Sequence, residues 1–166
     1  LLQRYENFGL NRKKDLMKAL TRLYSNLILK LGKLSWLPPL LARIALGVIF
    51  AESGWGKLHN IDKVAEFFLE LHLPAPVFQA HLVAYTELFA GILVFLGLFT
   101  RIASVSLLIT MTVAILTAKI EEIQQTSDLF AMSEFLYILL FIYLIIEGAG
   151  KVSLDYLGKK KLNTLS

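Results

Sequence analysis

The chain has 166 residues, of which 56% are hydrophobic, and it contains no cysteine. Its mean hydropathy of +0.62 lies well above that of a water-soluble domain, and the missing cysteines exclude structural disulfides, dithiol redox chemistry and thiolate metal sites. The net charge of +4 needs no nucleic-acid partner, because membrane topology explains its distribution.

Residues 1–37 are expected to form a basic amphipathic helix at the cytoplasmic surface. Leu16, Leu20, Leu23, Leu27, Leu31 and Leu34 recur at steps of three and four, among Arg12, Lys13, Lys14, Lys18, Arg22, Lys30 and Lys33. Leucines plus lysines suit the headgroup plane of an anionic leaflet. A docking arm for a soluble partner is the alternative.

Pro38-Pro39 suits a helix start and opens the first expected span, residues 39–58. Glu52 falls about 18 Å along it, inside a hydrocarbon core of about 30 Å. An ionisable group there costs several kcal/mol unless protonated, paired or facing water. At 100° per residue, Arg43, Gly47, Gly54 and Lys57 share one sector, and Ala45, Glu52, Gly56 and His59 the opposite one. Arg43 and Lys57 have stems long enough to reach the headgroups. Glu52 has not, which makes it the stronger functional candidate.

Asn60 is placed to cap a short helix with an apolar stripe of Val64, Phe67, Phe68 and Leu71, which Pro74 and Pro76 end. The second span covers residues 77–99, with Ala80, Ala84, Glu87 and Gly91 on one face and the pair His81 and Tyr85 on another. Glu87 lies about 15 Å from the outer end, at nearly the depth of Glu52. The turn at Thr100-Arg101 leads into a third span, residues 102–119, where Ser106, Thr110 and Thr117 align. Each hydroxyl can bond its own i−4 carbonyl, though an aligned stripe favours a face turned to other helices. Ser127 or Asp128 can cap a fourth span, residues 129–149, with Glu134 about 8 Å inside it. Gly148 and Gly150 stop that helix, and the tail ends in Lys159-Lys160-Lys161.

With this layout, fourteen of the seventeen Lys and Arg fall on one side of the membrane. The positive-inside rule then places both termini in the cytoplasm.

The chemistry on offer is a pair of carboxylates, Glu52 and Glu87, at matching depth in neighbouring spans. Such a pair could exchange protons with a bound quinone as general acid and base. Tyr85, His59 and His81 would orient or relay; Arg43 and Arg101 would set the inner-side potential. Lys57, Ser106, Thr110 and Glu134 complete the candidate binding residues. The competing reading is that the carboxylates only hold helices together. Haem is disfavoured, since His59 and His81 are not deep, and no cluster has metal-ligand spacing.

These pieces, in order, carry a resemblance. Arg43-Ile-Ala-Leu-Gly-Val-Ile-Phe with Gly54-Trp-Gly-Lys57, Glu87-Leu-Phe-Ala-Gly91, Gly97-Leu-Phe-Thr-Arg101 and Gly148-Ala-Gly-Lys-Val-Ser-Leu-Asp155 resemble the DoxX family of small four-helix membrane proteins, over about residues 41–157. The resemblance implies a redox setting. Members include the membrane subunit of a thiosulfate:quinone oxidoreductase, proteins linked to oxidative stress, and neighbours of iron-dependent peptide-modifying enzymes. It implies no catalytic residue, so the site residues rest on membrane energetics alone.

The expected architecture is therefore an all-α bundle of four transmembrane helices in the bacterial inner membrane. Its parts are an interfacial helix at 1–37, a membrane domain at 38–157 and a basic tail at 158–166. The expected function is a redox-associated subunit handling quinone, whether or not it is itself catalytic, as a homo- or hetero-oligomer in the lipid bilayer. The rival function is a non-enzymatic scaffold or assembly factor holding a soluble or membrane protein partner.

Overall fold

The computed structural model describes residues 17, 18 and 20–165, with side chains as far as residue 161. The chain divides into two units, residues 1–35 and Trp36–Ser166. In the first, residues 20–32 form helix α1, which exposes every residue, Leu20, Leu23, Leu27 and Leu31 included. Arg12, Lys13, Lys14 and Leu16, expected in this helix, lie outside the described residues.

The second unit is helical throughout its regular elements. Helix α2 runs Leu37–His59, with proline in its first turn, where a missing N–H costs nothing. Helix α3, Ile61–Glu70, is the short amphipathic element. Asn60 precedes it, but its amide donates to the Gly56 carbonyl (3.0 Å) instead of capping α3 as expected. Helix α4 covers Pro76–Leu96 and α5 covers Thr100–Ala118. A 3-10 turn, Ile120–Glu122, leads to α6, Thr126–Ala131, and α7, Ser133–Glu147; helix α8 covers Leu154–Leu165.

Helices α2, α4 and α5 are long and apolar enough to cross a membrane. The fourth expected span is not one helix. Met132 takes an extended conformation (ψ 133°) between α6 and α7, and α7 has only 15 residues. That is about 22 Å, short of the hydrocarbon thickness. Asp128, expected to cap the long span, instead accepts the N–H groups of Gln124 and Gln125 and sets the start of the separate helix α6.

The four long helices form a ring. Helix α4 packs between α2 and α5, and α7 packs on α5 and α2. Leu46, Phe50, Val94, Leu107, Phe141 and Leu144 fill the centre. Glycines set the closest contact, that of α2 with α4. A Cβ on Gly47 would lie 2.6 Å from Phe95 Cβ, one on Gly91 would lie 2.6 Å from the Ala51 nitrogen, and one on Gly54 would strike the Leu88 backbone. This close approach fixes which face of α2 turns inward, and with it the candidate site.

An apolar pocket with a buried ion pair

Because Gly47 and Gly54 must face α4, the residues sharing their sector go inward too. Arg43 is only 3% exposed, and Lys57 turns toward α4. The opposite sector, Ala45, Glu52, Gly56 and His59, is exposed. The sequence pattern separated these two faces correctly. The ranking built on it is corrected: Arg43 and Lys57 do not reach for the headgroups, and Glu52 does not enter the bundle.

Lys57 meets Glu87. Its ammonium forms an ion pair and hydrogen bond with Glu87 Oε2, and also donates to Ser53 Oγ at 2.7 Å. Ser53 Oγ in turn donates to Glu87 Oε2 at 2.8 Å. The Glu87 side chain is 2% exposed, whereas that of Lys57 is 28% exposed. One end of the pair is therefore sealed in protein, and the other looks into open space.

That space is a cavity of about 380 Å³ between α2, α3, α4 and α5. Helix α3 covers it with Val64, Phe67 and Phe68, joined by Leu71 just beyond the helix; Val83, Val113 and Ala114 form its walls. Its polar lining includes Lys57, Lys63, Gln79, Thr110 and Thr117. The two threonine hydroxyls are engaged with their own i−4 carbonyls, Ser106 and Val113, at 3.1 and 2.8 Å. Each keeps an oxygen lone pair for a ligand. Lys57 and Lys63 bring two cationic side chains to an otherwise greasy chamber.

The remaining sequence candidates lie elsewhere. Glu52 is exposed and does not share a site with Glu87, so the proposed carboxylate pair is replaced by Lys57 and Glu87. His59 is exposed, with Nδ1 2.9 Å from the Trp55 carbonyl. His81, Tyr85 and Ser106 line a second, shallower groove between α4 and α5, where His81 and Tyr85 rings sit 6.4 Å apart. Glu134 pairs with Lys119 at 2.9 Å, joining α7 to the end of α5. None of these faces the Lys57 chamber.

Arg43 and Arg101 belong to the opposite, Pro39 end of the bundle. Arg43 Nη1 donates to the Ala149 carbonyl at 2.9 Å, and Arg101 Nη2 to that of Ile146 at 3.1 Å. Asp155 accepts from the N–H groups of Phe99 (2.8 Å) and Thr100 (3.1 Å), which open α5. The Asp155 N–H donates to the Gly97 carbonyl at 2.9 Å. Gly97 ends α4 with φ +69°, and any Cβ there would run into the Arg43 guanidinium. The separate sequence motifs thus meet in one structural clasp.

Sequence reasoning missed Ser53, Gln79 and the role of Lys57. The available signal was the seven-residue step from Gly47 to Gly54, which marks the packed face on which Lys57 lies.

A ring of long apolar helices packed on an apolar centre is that of an integral membrane protein. The DoxX family model matches residues 39–120. The chain is 36% identical over 129 residues to the Bacillus subtilis protein named "Putative oxidoreductase CatD", covering 75% of this chain and 91% of that one. It is 33% identical over 124 residues to "Uncharacterized membrane protein Rv3486" of Mycobacterium tuberculosis, covering 68% and 76%. A shorter match, 37% over 62 residues, is to "Inner membrane protein YphA" of Escherichia coli, covering 37% and 44%. No solved structure matches the chain. The chain belongs to the DoxX family and is a bacterial membrane protein.

Proposed function

We propose that this protein is a redox-associated subunit of the bacterial inner membrane that holds a quinone in the Lys57 chamber. The observation that carries this reading is the lysine itself, paired with a sealed carboxylate and lining an apolar cavity of about 380 Å³. A quinone ring is flat and apolar with carbonyl acceptors, so a few strong donors in a greasy pocket suit it. Glu87 and Ser53 position the ammonium; Gln79, Thr110 and Thr117 offer further polar contacts. The name of the Bacillus subtilis relative, an oxidoreductase, is consistent with this use.

The reading includes four membrane crossings, residues 129–149 making the fourth and Asp128 lying just outside it, with both termini in the cytoplasm as the Lys and Arg distribution favours. A scaffold role for a protein partner is the second reading. It is favoured by α1, whose leucines are all exposed.

Gentle purification followed by organic extraction and mass spectrometry tests the proposal. A quinone should co-purify with the wild-type chain. Ala114→Phe, which fills the cavity, should lose it, while Glu52→Gln should retain it. Absence of any quinone, together with no thermal shift on adding one, would overturn the proposal and favour the scaffold.

A further inference from the structure

The charges lining the chamber do not cancel. Lys57 and Lys63 both line it, and among the described residues no carboxylate does. Lys57 is compensated from behind by Glu87, whose side chain is sealed in protein. Lys63 has no such partner: it makes no ion pair or hydrogen bond with any described residue. Asp62, Glu66 and Glu70 share α3 with it, but none of them lines the chamber or pairs with it. One positive charge is therefore left over beside a volume walled by Val83, Val113 and Ala114.

Hydrogen-bonding capacity is divided in the same way. A lysine ammonium has three N–H donors. Lys57 turns two of them to Glu87 and Ser53 and keeps one, whereas Lys63 spends none on the described residues. Thr110 and Thr117 have given their protons to the carbonyls of Ser106 and Val113, so they offer only lone pairs. Gln79 Nε2 donates to the Pro74 carbonyl at 2.6 Å. The α2–α3 edge of the chamber thus donates with positive charge, and the α5 wall offers no free hydroxyl proton. An ionised oxygen gains Coulomb attraction from that edge as well as a hydrogen bond, and low-dielectric walls strengthen the attraction. A neutral carbonyl lacks the full charge.

We propose that the chamber selects an anion: its ligand is an acidic quinone, ionised at a ring oxygen that meets Lys57 and Lys63, with its ring against Val83, Val113 and Ala114. The inference deepens the quinone reading of this chamber and rests on it. Lys63 becomes the residue that sets the charge of the ligand, because Glu87 already neutralises Lys57.

Two probes of nearly the same shape test it. A naphthoquinone with a hydroxyl beside one ring carbonyl is a vinylogous acid and is ionised at neutral pH. Its methyl ether keeps the rings and both carbonyls and cannot ionise. Each is titrated by calorimetry into the full-length protein in nanodiscs of zwitterionic lipid, with empty nanodiscs as the blank. The hydroxy compound should bind about fivefold more tightly, the scale of pairing with an exposed lysine. Lys63→Gln should bring it down to the level of the ether and leave the ether unchanged, and Lys63→Arg should keep the preference. Ala114→Phe should abolish binding of both. The melting profile of each variant confirms that the fold is intact. Equal binding of the two probes, equal weakening of both by Lys63→Gln, or hydroxy-compound binding that survives Ala114→Phe would each overturn the anion inference. Equal binding that Ala114→Phe abolishes leaves the quinone reading standing, whereas binding of neither probe overturns that reading and the inference with it.

Discussion

At the Pro39 end of the bundle, the polar groups named above are spent on backbone. Asp155 takes two N–H groups at the start of α5, Arg43 donates to Ala149 and Arg101 to Ile146. At the His59 end, Lys57, Ser53 and Glu87 bond only to one another, and the lysine faces a cavity. Side chains that satisfy backbone groups stiffen a fold and leave little capacity for a ligand. Side chains that satisfy each other beside an empty volume keep donors that a ligand can use. The difference suits the clasp to stability and the chamber to the ligand proposed above, although both ends contain a buried charge.

The largest expected effect comes from breaking the chamber's ion pair. Lys57→Ala leaves the Glu87 carboxylate sealed without its counter-charge, and stability should fall by about 3–5 kcal/mol. Replacing both partners, Lys57→Met with Glu87→Leu, should recover most of that loss, because the pair's attraction largely offsets its own desolvation. Unfolding in bicelles followed by circular dichroism measures both. A Lys57→Ala protein that unfolds like wild type would mean that the carboxylate is not sealed, and would erase the contrast between the ends.

A smaller effect is expected at the clasp. Asp155→Ala leaves the Phe99 and Thr100 N–H groups without an acceptor, at a cost of about 1–2 kcal/mol. Quinone retention should not change, because Asp155 does not line the chamber. Retention that fell in step with stability would show the two ends to be coupled, and the division of labour would fail.

Much of this was legible in the sequence, and the limits have physical causes. The all-helical class, the apolar segments of α2, α4 and α5, and the two faces of α2 follow from hydropathy and a 100° step. The choice between those faces does not follow from charge. Stem length favoured Glu52 over Lys57 as the group kept inside, and only the contacts of Gly47 and Gly54 with Phe95 and Leu88 reverse that order. The break at Met132 was hidden because residues 129–149 read as one apolar run, and hydropathy does not register a single extended residue. The clasp was hidden for another reason: Asp155 and Phe99 are 56 residues apart, and no local pattern announces their contact. Their motifs were visible, but not the fact that they touch.

The smallest expected effect sharpens the comparison by setting Asp128 beside Asp155. Both carboxylates accept two backbone N–H groups, Asp155 from a distant segment and Asp128 from its immediate neighbours Gln124 and Gln125, at 3.0 and 2.8 Å. The Gln125 N–H, followed by that of Gln124, holds the Asp128 carboxyl below its ordinary value. A group whose folded pKa is depressed contributes its stabilisation above the unfolded value, and loses it as pH falls through the folded one. The start of α6 should therefore stay intact at neutral pH and loosen only below the usual carboxylate range, near pH 4. The amide resonances of Gln124 and Gln125, followed by NMR in micelles, should titrate together with a midpoint below that range. Asp128→Asn should abolish the titration while leaving the Phe99 and Thr100 amides unmoved. If the two glutamine amides titrate at the ordinary carboxylate midpoint, or not at all, Asp128 does not hold α6, and the parallel between the two carboxylates is lost.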